Sequence, residues 1–114
     1  MKPEPIKNRV TEMTGVGYPI LQAPMGWIAR AQLASAVSNS GAMGIIETSS
    51  GEFDAIQEEV RKMHELTDKP FGMNVALAFV KGTNVIDFVI EQGIKFVTTS
   101  AGSPDLCTEL RCGG

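Results

Sequence analysis

Phe71-Gly72-Met73-Asn74-Val75-Ala76-Leu77 is the stretch on which the fold turns. It is apolar but for one carboxamide. It follows Asp68-Lys69-Pro70, where proline stops a helix, and precedes the turn residues Lys81-Gly82-Thr83-Asn84. A short apolar run between such signals reads as a buried strand. Just upstream, Phe53, Ile56, Val60 and Met63 recur at helical spacing, with Glu58, Glu59, Arg61 and Lys62 on the wet side. Ser49 and Glu52 stand ahead of that helix in the S-x-x-E pattern of a capping box. Just downstream, Asn84 and Asp87 are positioned to cap a helix carrying Ile86, Val89 and Ile90, which Gly93 closes.

The same alternation extends in both directions. Residues 95–99, centred on Phe96 and Val97, read as a strand, and so does Ala42-Met43-Gly44-Ile45-Ile46. Before the latter, Ala29, Leu33, Ala36 and Val37 mark an apolar helical stripe, followed by Gly41 where a left-handed cap is expected. Tyr18-Pro19-Ile20-Leu21-Gln22-Ala23 reads as the first strand, ending at Pro24. Strand centres near Ile20, Ile45, Met73 and Val97 lie 24 to 28 residues apart, one helix between each pair. That βαβαβαβ order predicts parallel neighbours with right-handed crossovers. Apolar rather than alternating strands predict a sheet covered on both faces. The architecture is α/β: either an open doubly wound sheet or part of a (β/α)8 barrel. Gln22-Ala23-Pro24-Met25-Gly26-Trp27 follows the first strand where a dinucleotide-binding G-x-G-x-x-G loop would stand, which weakens the open-sheet alternative.

Composition narrows the function classes. The 114 residues are 43% hydrophobic and 20% charged, which excludes a disordered chain. Ten Lys and Arg against 13 Asp and Glu give a net charge of -3 and no basic footprint for nucleic acid or an anionic membrane. Apolar runs fall well short of the roughly 18 residues of a membrane span. The N-terminus lacks the apolar segment of a secretory signal, so a cytoplasmic location is expected. Cys107 and Cys112 read as free thiols, and no metal ligand set is expected.

Ligands of α/β folds gather at the carboxyl ends of the strands. Those ends are Gln22-Ala23-Pro24-Met25-Gly26, Glu47-Thr48-Ser49, Asn74-Val75-Ala76 and Thr99-Ser100-Ala101-Gly102. The small residues after the first strand would let a flat ring lie on bare backbone. Asn74 is costly to bury without partners and reads as a ligand contact or as a buried network residue. Thr98, Thr99 and Ser100 read as ligand contacts or as the satisfied end of a strand. His64 lies beside the apolar stripe of an outer helix and reads as structural. Met25, Met43, Met63 and Met73 read as core filler. Trp27 either shelters a cofactor or packs the loop.

These residues also carry a resemblance. Tyr18-Pro19-Ile20-Leu21-Gln22-Ala23-Pro24-Met25-Gly26 looks like the opening strand of the nitronate monooxygenase family, formerly the 2-nitropropane dioxygenases, which includes flavin-dependent enoyl-acyl-carrier-protein reductases. Ala34-Ser35-Ala36-Val37-Ser38-Asn39-Ser40-Gly41-Ala42-Met43-Gly44 is similar to the family's AAAVSNAGGLG stretch. Leu66-Thr67-Asp68-Lys69-Pro70-Phe71-Gly72-Met73-Asn74 resembles its LTDKPFGVN, and Val97-Thr98-Thr99-Ser100-Ala101-Gly102-Ser103-Pro104 its VVTTGAGNP. The resemblance covers about residues 11–104. It implies the N-terminal half of an FMN-binding TIM (β/α)8 barrel, with FMN contacts from Gln22, Ala23, Pro24, Met25, Gly26, Asn74, Thr99, Ser100, Ala101 and Gly102. It implies an oxidoreductase that oxidises alkyl nitronates with oxygen as acceptor, or, in the reductase branch, one that reduces an enoyl thioester with a nicotinamide as hydride donor. The partner is then a small-molecule substrate; the alternative is a non-catalytic α/β fragment or interaction module that keeps the sequence but no flavin.

A whole barrel takes about 250 residues. Residues 1–104 are therefore expected to form half a barrel and 105–114 a divergent or truncated tail. The family's catalytic histidine and phosphate grip fall beyond residue 114, so no catalytic residue is assigned here. An unpaired apolar edge is expected on such an arc, with self-association through the sheet edges as its consequence.

Overall fold

The computed structural model describes residues 3–79 and 84–106. Helices α1 (Arg9–Thr14), α2 (Ala31–Asn39), α3 (Phe53–Leu66) and α4 (Asn84–Glu91) alternate with strands β1 (Gly44–Ile46), β2 (Phe71–Ala76) and β3 (Phe96–Ser100) once α1 is passed. The three strands form one sheet in the order β1-β2-β3, every pair parallel, with Ile46 beside Met73 and Asn74 beside Thr98. The fold is thus an arc of successive parallel βα units. The turn read at Lys81-Gly82-Thr83 and the residues after 106, with both cysteines, lie outside the described residues.

The helix side of the sheet carries the main core. Ile46, Met73 and Val75 meet Ile56, Val60 and Met63 of α3 and Val85, Phe88 and Val89 of α4. The helical spacing read around Ile56 is therefore the buried face of α3. Phe53 and Phe88 tie α3 to α4 edge to face, with ring centroids 5.6 Å apart. The opposite side of the sheet holds a smaller cluster of Met43, Ile45 and Val16, with Phe96 packed against it. That second face, with Asn74, Thr98 and Ser100 above it, is the concave one in a barrel.

Four local expectations are corrected. The first strand is reduced to a single parallel bridge, Leu21 to Met43. The next rung would need an N–H from residue 24 to reach the Ile45 carbonyl, and Pro24 has none. The Gln22 carboxamide replaces that rung: its Nε2 donates to the Ile45 oxygen at 3.0 Å and its Oε1 accepts from the Ile45 nitrogen at 3.3 Å.

The buried face of α2 is Ala31, Ala34, Ser35 and Ser38, while Leu33 and Val37 are half-buried and Ala36 is exposed. Size decides this face. The backbone of Gly44 lies so close to α2 that a Cβ there would stand 2.0 Å from the Ala34 carbonyl oxygen. Only small side chains fit against such a strand, and the Ser38 hydroxyl accepts from the Gly44 N–H at 3.1 Å.

The capping box read at Ser49 and Glu52 does not form. Glu52 is the N-cap of α3 but makes no side-chain cap. Ser49 donates to Glu47 instead, at 3.4 Å. A true capping box closes α1, where Asn8 Oδ1 accepts from the Thr11 N–H and Thr11 Oγ1 from the Asn8 N–H, both at 3.0 Å. Met25, read as core, is 40% exposed, whereas Met43, Met63 and Met73 are fully buried. Gly41 does take a positive φ, 101°, after α2.

Candidate functional site

Contacts between loops build one continuous rim at the carboxyl ends of the strands. Gly26, in the loop after the first strand, abuts Ser49 in the loop after β1; a Cβ on Gly26 would meet the Ser49 hydroxyl at 2.9 Å. Thr48 Oγ1 accepts from the Ala76 N–H at 2.8 Å, so a side chain extends the β1–β2 ladder beyond its last backbone rung. Gly102, after β3, abuts Leu77, after β2, where an added Cβ would lie 2.6 Å from Leu77 Cβ. The four segments read from the sequence as strand ends are therefore neighbours.

The side chains predicted to meet a ligand divide into two groups. Gln22 and Asn74 are spent on the sheet. Asn74 is 4% exposed, and its Nδ2 donates to Thr98 Oγ1 at 2.9 Å and to the Thr98 carbonyl at 3.3 Å. Its Oδ1 accepts from the Ser100 hydroxyl at 3.2 Å. Asn74 thus locks the end of β3 to β2. Thr99 is half-buried and makes interactions of its own, and Ser100 is exposed. In the second group, Ala23, Pro24, Met25, Gly26, Ala101 and Gly102 offer little beyond backbone and small side chains. The amides of Ala23, Gly26 and Trp27 have no hydrogen-bond partner among the described residues.

Two residues without glycine's freedom hold left-handed backbone here: Trp27 at φ 61° and Ala101 at φ 55°. Each costs about 1–3 kcal/mol, and such strain concentrates at binding sites. Both fall on this rim, at its two ends. Trp27 is also 64% exposed, so the loop-packing alternative is not the one adopted.

Sequence reading missed the polar group behind the rim. Glu47, entirely buried, receives Arg30 Nε at 3.2 Å, the Ser50 hydroxyl and amide at 2.9 Å each, and the Ser49 hydroxyl. Arg30 also reaches Glu52, at 2.5 Å. The Glu52 hydrogen bond foremost, and Glu47 after it, raise the Arg30 guanidinium above its ordinary pKa against the opposing effect of burial. A carboxylate directly after the apolar Gly44-Ile45-Ile46 was the available signal for Glu47. Arg30 is the one cation that the described residues place at this rim; Lys69 and Lys95 precede β2 and β3 at the other edge. His64 is exposed on α3, edge to face with Phe71 at 5.5 Å, and takes no part.

The Gly26–Ser49 contact yields a direct expectation. Gly26→Ala pushes the Ser49 hydroxyl off Glu47 and lowers stability by about 1 kcal/mol, since the atom that must move is the end of a side chain. Ser49→Ala in the same chain removes the clash. A double-mutant cycle by urea unfolding should return a coupling of about 0.5–1 kcal/mol, and purely additive effects would contradict the contact.

Residues 7–103 match the family model described as nitronate monooxygenase. The chain belongs to the nitronate monooxygenase family. It is similar, at 31% identity over 90 residues, to the (3aS,4S,5R,7aS)-5-hydroxy-7a-methyl-1-oxo-octahydro-1H-indene-4-carboxyl-CoA dehydrogenase of Mycobacterium tuberculosis, over 79% of this chain and 25% of that one. It is 38% identical over 69 residues to a probable nitronate monooxygenase of Staphylococcus aureus, over 60% of this chain and 19% of the other. The structure of FabK from Thermotoga maritima overlays 96% of this chain with a TM-score of 0.86 at 33% identity, and 35% of FabK is covered. The chain therefore spans about a quarter of the first relative and about a third of FabK. Its βα arc corresponds to the N-terminal part of the family's TIM barrel. The described rim suits the ring portion of a flavin, since bare backbone with open amides matches a planar heterocycle edged by donors and acceptors. Among the described residues no unpaired cation stands at the rim to take the phosphate.

Proposed function

We propose that this chain contributes the ring-binding half of the site in an FMN-dependent oxidoreductase that oxidises alkyl nitronates with oxygen as acceptor. The observation that carries this reading is the set of open amides at Ala23, Gly26 and Trp27 on the rim at the carboxyl ends of the strands. When bound, FMN supplies the one-electron oxidation; the chain's own part is orientation and tuning. The amides after the first strand donate to acceptors on the ring edge. Asn74 holds Thr98 and Ser100 in place. The residues 99–102 wall the opposite end, and exposed Trp27 stands at the mouth. None of these groups titrates near neutrality, so the described residues position and shield rather than move protons.

A second reading, an oxidoreductase acting on a thioester-activated acid, is favoured by one observation: the Mycobacterium tuberculosis relative is named as a carboxyl-CoA dehydrogenase.

The test is titration of the purified protein with FMN, followed by flavin fluorescence, and then oxygen uptake with propane-2-nitronate. Binding is expected, and Asn74→Ala should weaken it about tenfold, equivalent to about 1.4 kcal/mol. Protein that ignores added FMN overturns the flavin reading. Binding without nitronate-dependent oxygen uptake, but with oxidation of NADH by an enoyl thioester, moves the assignment to the second reading.

A further inference from the structure

The buried Glu47 carboxylate accepts four hydrogen bonds, yet it serves neither the core nor a helix cap. Its backbone N–H donates to the Ala29 carbonyl at 3.0 Å, and its carboxylate accepts from Arg30, Ser49 and Ser50. It thereby ties the end of the first rim loop, residues 29–30, to the second, residues 49–50. Ser49, held by Glu47, is the residue against which Gly26 closes. A path of direct contacts thus runs from Arg30 through Glu47 and Ser49 to Gly26, in the loop with the open amides. Arg30 is mostly buried, 22% exposed, while Glu52 on its outer side is 50% exposed.

We propose that Arg30 and Glu47 are positioning residues: they fix the loop of residues 23–29 so that its amides converge on the ligand. The ligand in question is FMN, and to that extent the inference rests on the reading above. The pair touches no ligand itself. It acts by removing freedom from a loop whose strained backbone at Trp27 would otherwise relax, and small displacements of positioned groups cost binding steeply.

The experiment compares the full chain carrying Arg30→Gln, Arg30→Lys, Ser49→Ala or Glu52→Gln. It reads the FMN dissociation constant, the emission maximum of Trp27, and the urea midpoint. Trp27 is the single tryptophan of the chain and lies in the positioned loop. Arg30→Gln is expected to shift the Trp27 emission and to weaken FMN binding about tenfold to a hundredfold while unfolding stays cooperative. Ser49→Ala should do the same to a smaller degree, Arg30→Lys should recover part of the loss, and Glu52→Gln should stay close to the parent. A folded Arg30→Gln protein with parental emission and affinity overturns the proposal. So does a loss that merely follows the unfolded fraction, or an equal loss in Glu52→Gln. Where Arg30→Gln does not fold, Arg30→Lys and Ser49→Ala decide on the same readouts. If the parent protein binds no FMN, the flavin reading fails on its own. The Trp27 emission and protease sensitivity of residues 23–29 in the free proteins then decide the positioning role.

Discussion

Gly44→Ala should be among the most damaging single-methyl additions in the chain. The new Cβ would sit 2.0 Å from the Ala34 carbonyl oxygen and 2.7 Å from the Ser38 hydroxyl. Neither partner gives easily, since the carbonyl belongs to α2 and the hydroxyl accepts from the Gly44 amide. To relieve the clash, α2 must lift from the sheet, and Ala31 and Ala34 leave the main core with it. Overpacking usually costs about 1–3 kcal/mol, and a clash with the helix backbone at Ala34 places this case at about 3 kcal/mol, the upper end of that range. That is a large share of the roughly 5–15 kcal/mol available to a domain. A fall of at least about 1 M in the urea midpoint is the expected measurement. A midpoint equal to the parent's would show that α2 does not pack on β1 as described.

The second large effect is expected at Met73. It is fully buried in the central strand, between Ile46 on β1 and Val97 on β3 in register, with α3 above it. Met73→Ala leaves a cavity that rigid neighbours on three sides cannot fill, at a cost of about 2–5 kcal/mol. Met73→Leu keeps the volume and should cost less than about 1.5 kcal/mol. Leu66→Ala provides the contrast, because Leu66 is 51% exposed at the end of α3 and should stay within about 0.5 kcal/mol. Chemical unfolding of the three variants checks the order. Similar losses for Met73→Ala and Leu66→Ala would contradict the assignment of the core.

Much of the fold was legible because its information is local. The α3 period from Phe53 to Met63 and the apolar runs at β2 and β3 carry enough burial to be read without tertiary knowledge. The face of α2 was not, because hydrophobicity was weighed where closeness decides: Leu33 and Val37 lose the contact to Ala34, Ser35 and Ser38. The box at Ser49 failed for a related reason. A serine with a choice of acceptors takes the buried carboxylate, since leaving Glu47 unpaired costs more than leaving a helix end to water. The local sign of Glu47 burial, a place directly after Gly44-Ile45-Ile46, does not say which groups it pairs with. The rim itself was legible from topology alone, as four segments after four strand positions. The Arg30–Glu47 pair was not, because its members are 17 residues apart and meet only once the sheet is assembled.

The substitution of the Gln22 side chain for the rung that Pro24 cannot supply has a consequence for the shape of the rim. In an ordinary sheet the backbone is bound to the strand's twist until the last amide is paired. Here the pairing of Ile45 is completed by a side chain, so the main chain is discharged from the sheet at residue 22. From Ala23 onward its path answers to whatever lies across it. With Pro24 in place, the last stretch of the strand serves as a mould, with the sheet edge still sealed behind it.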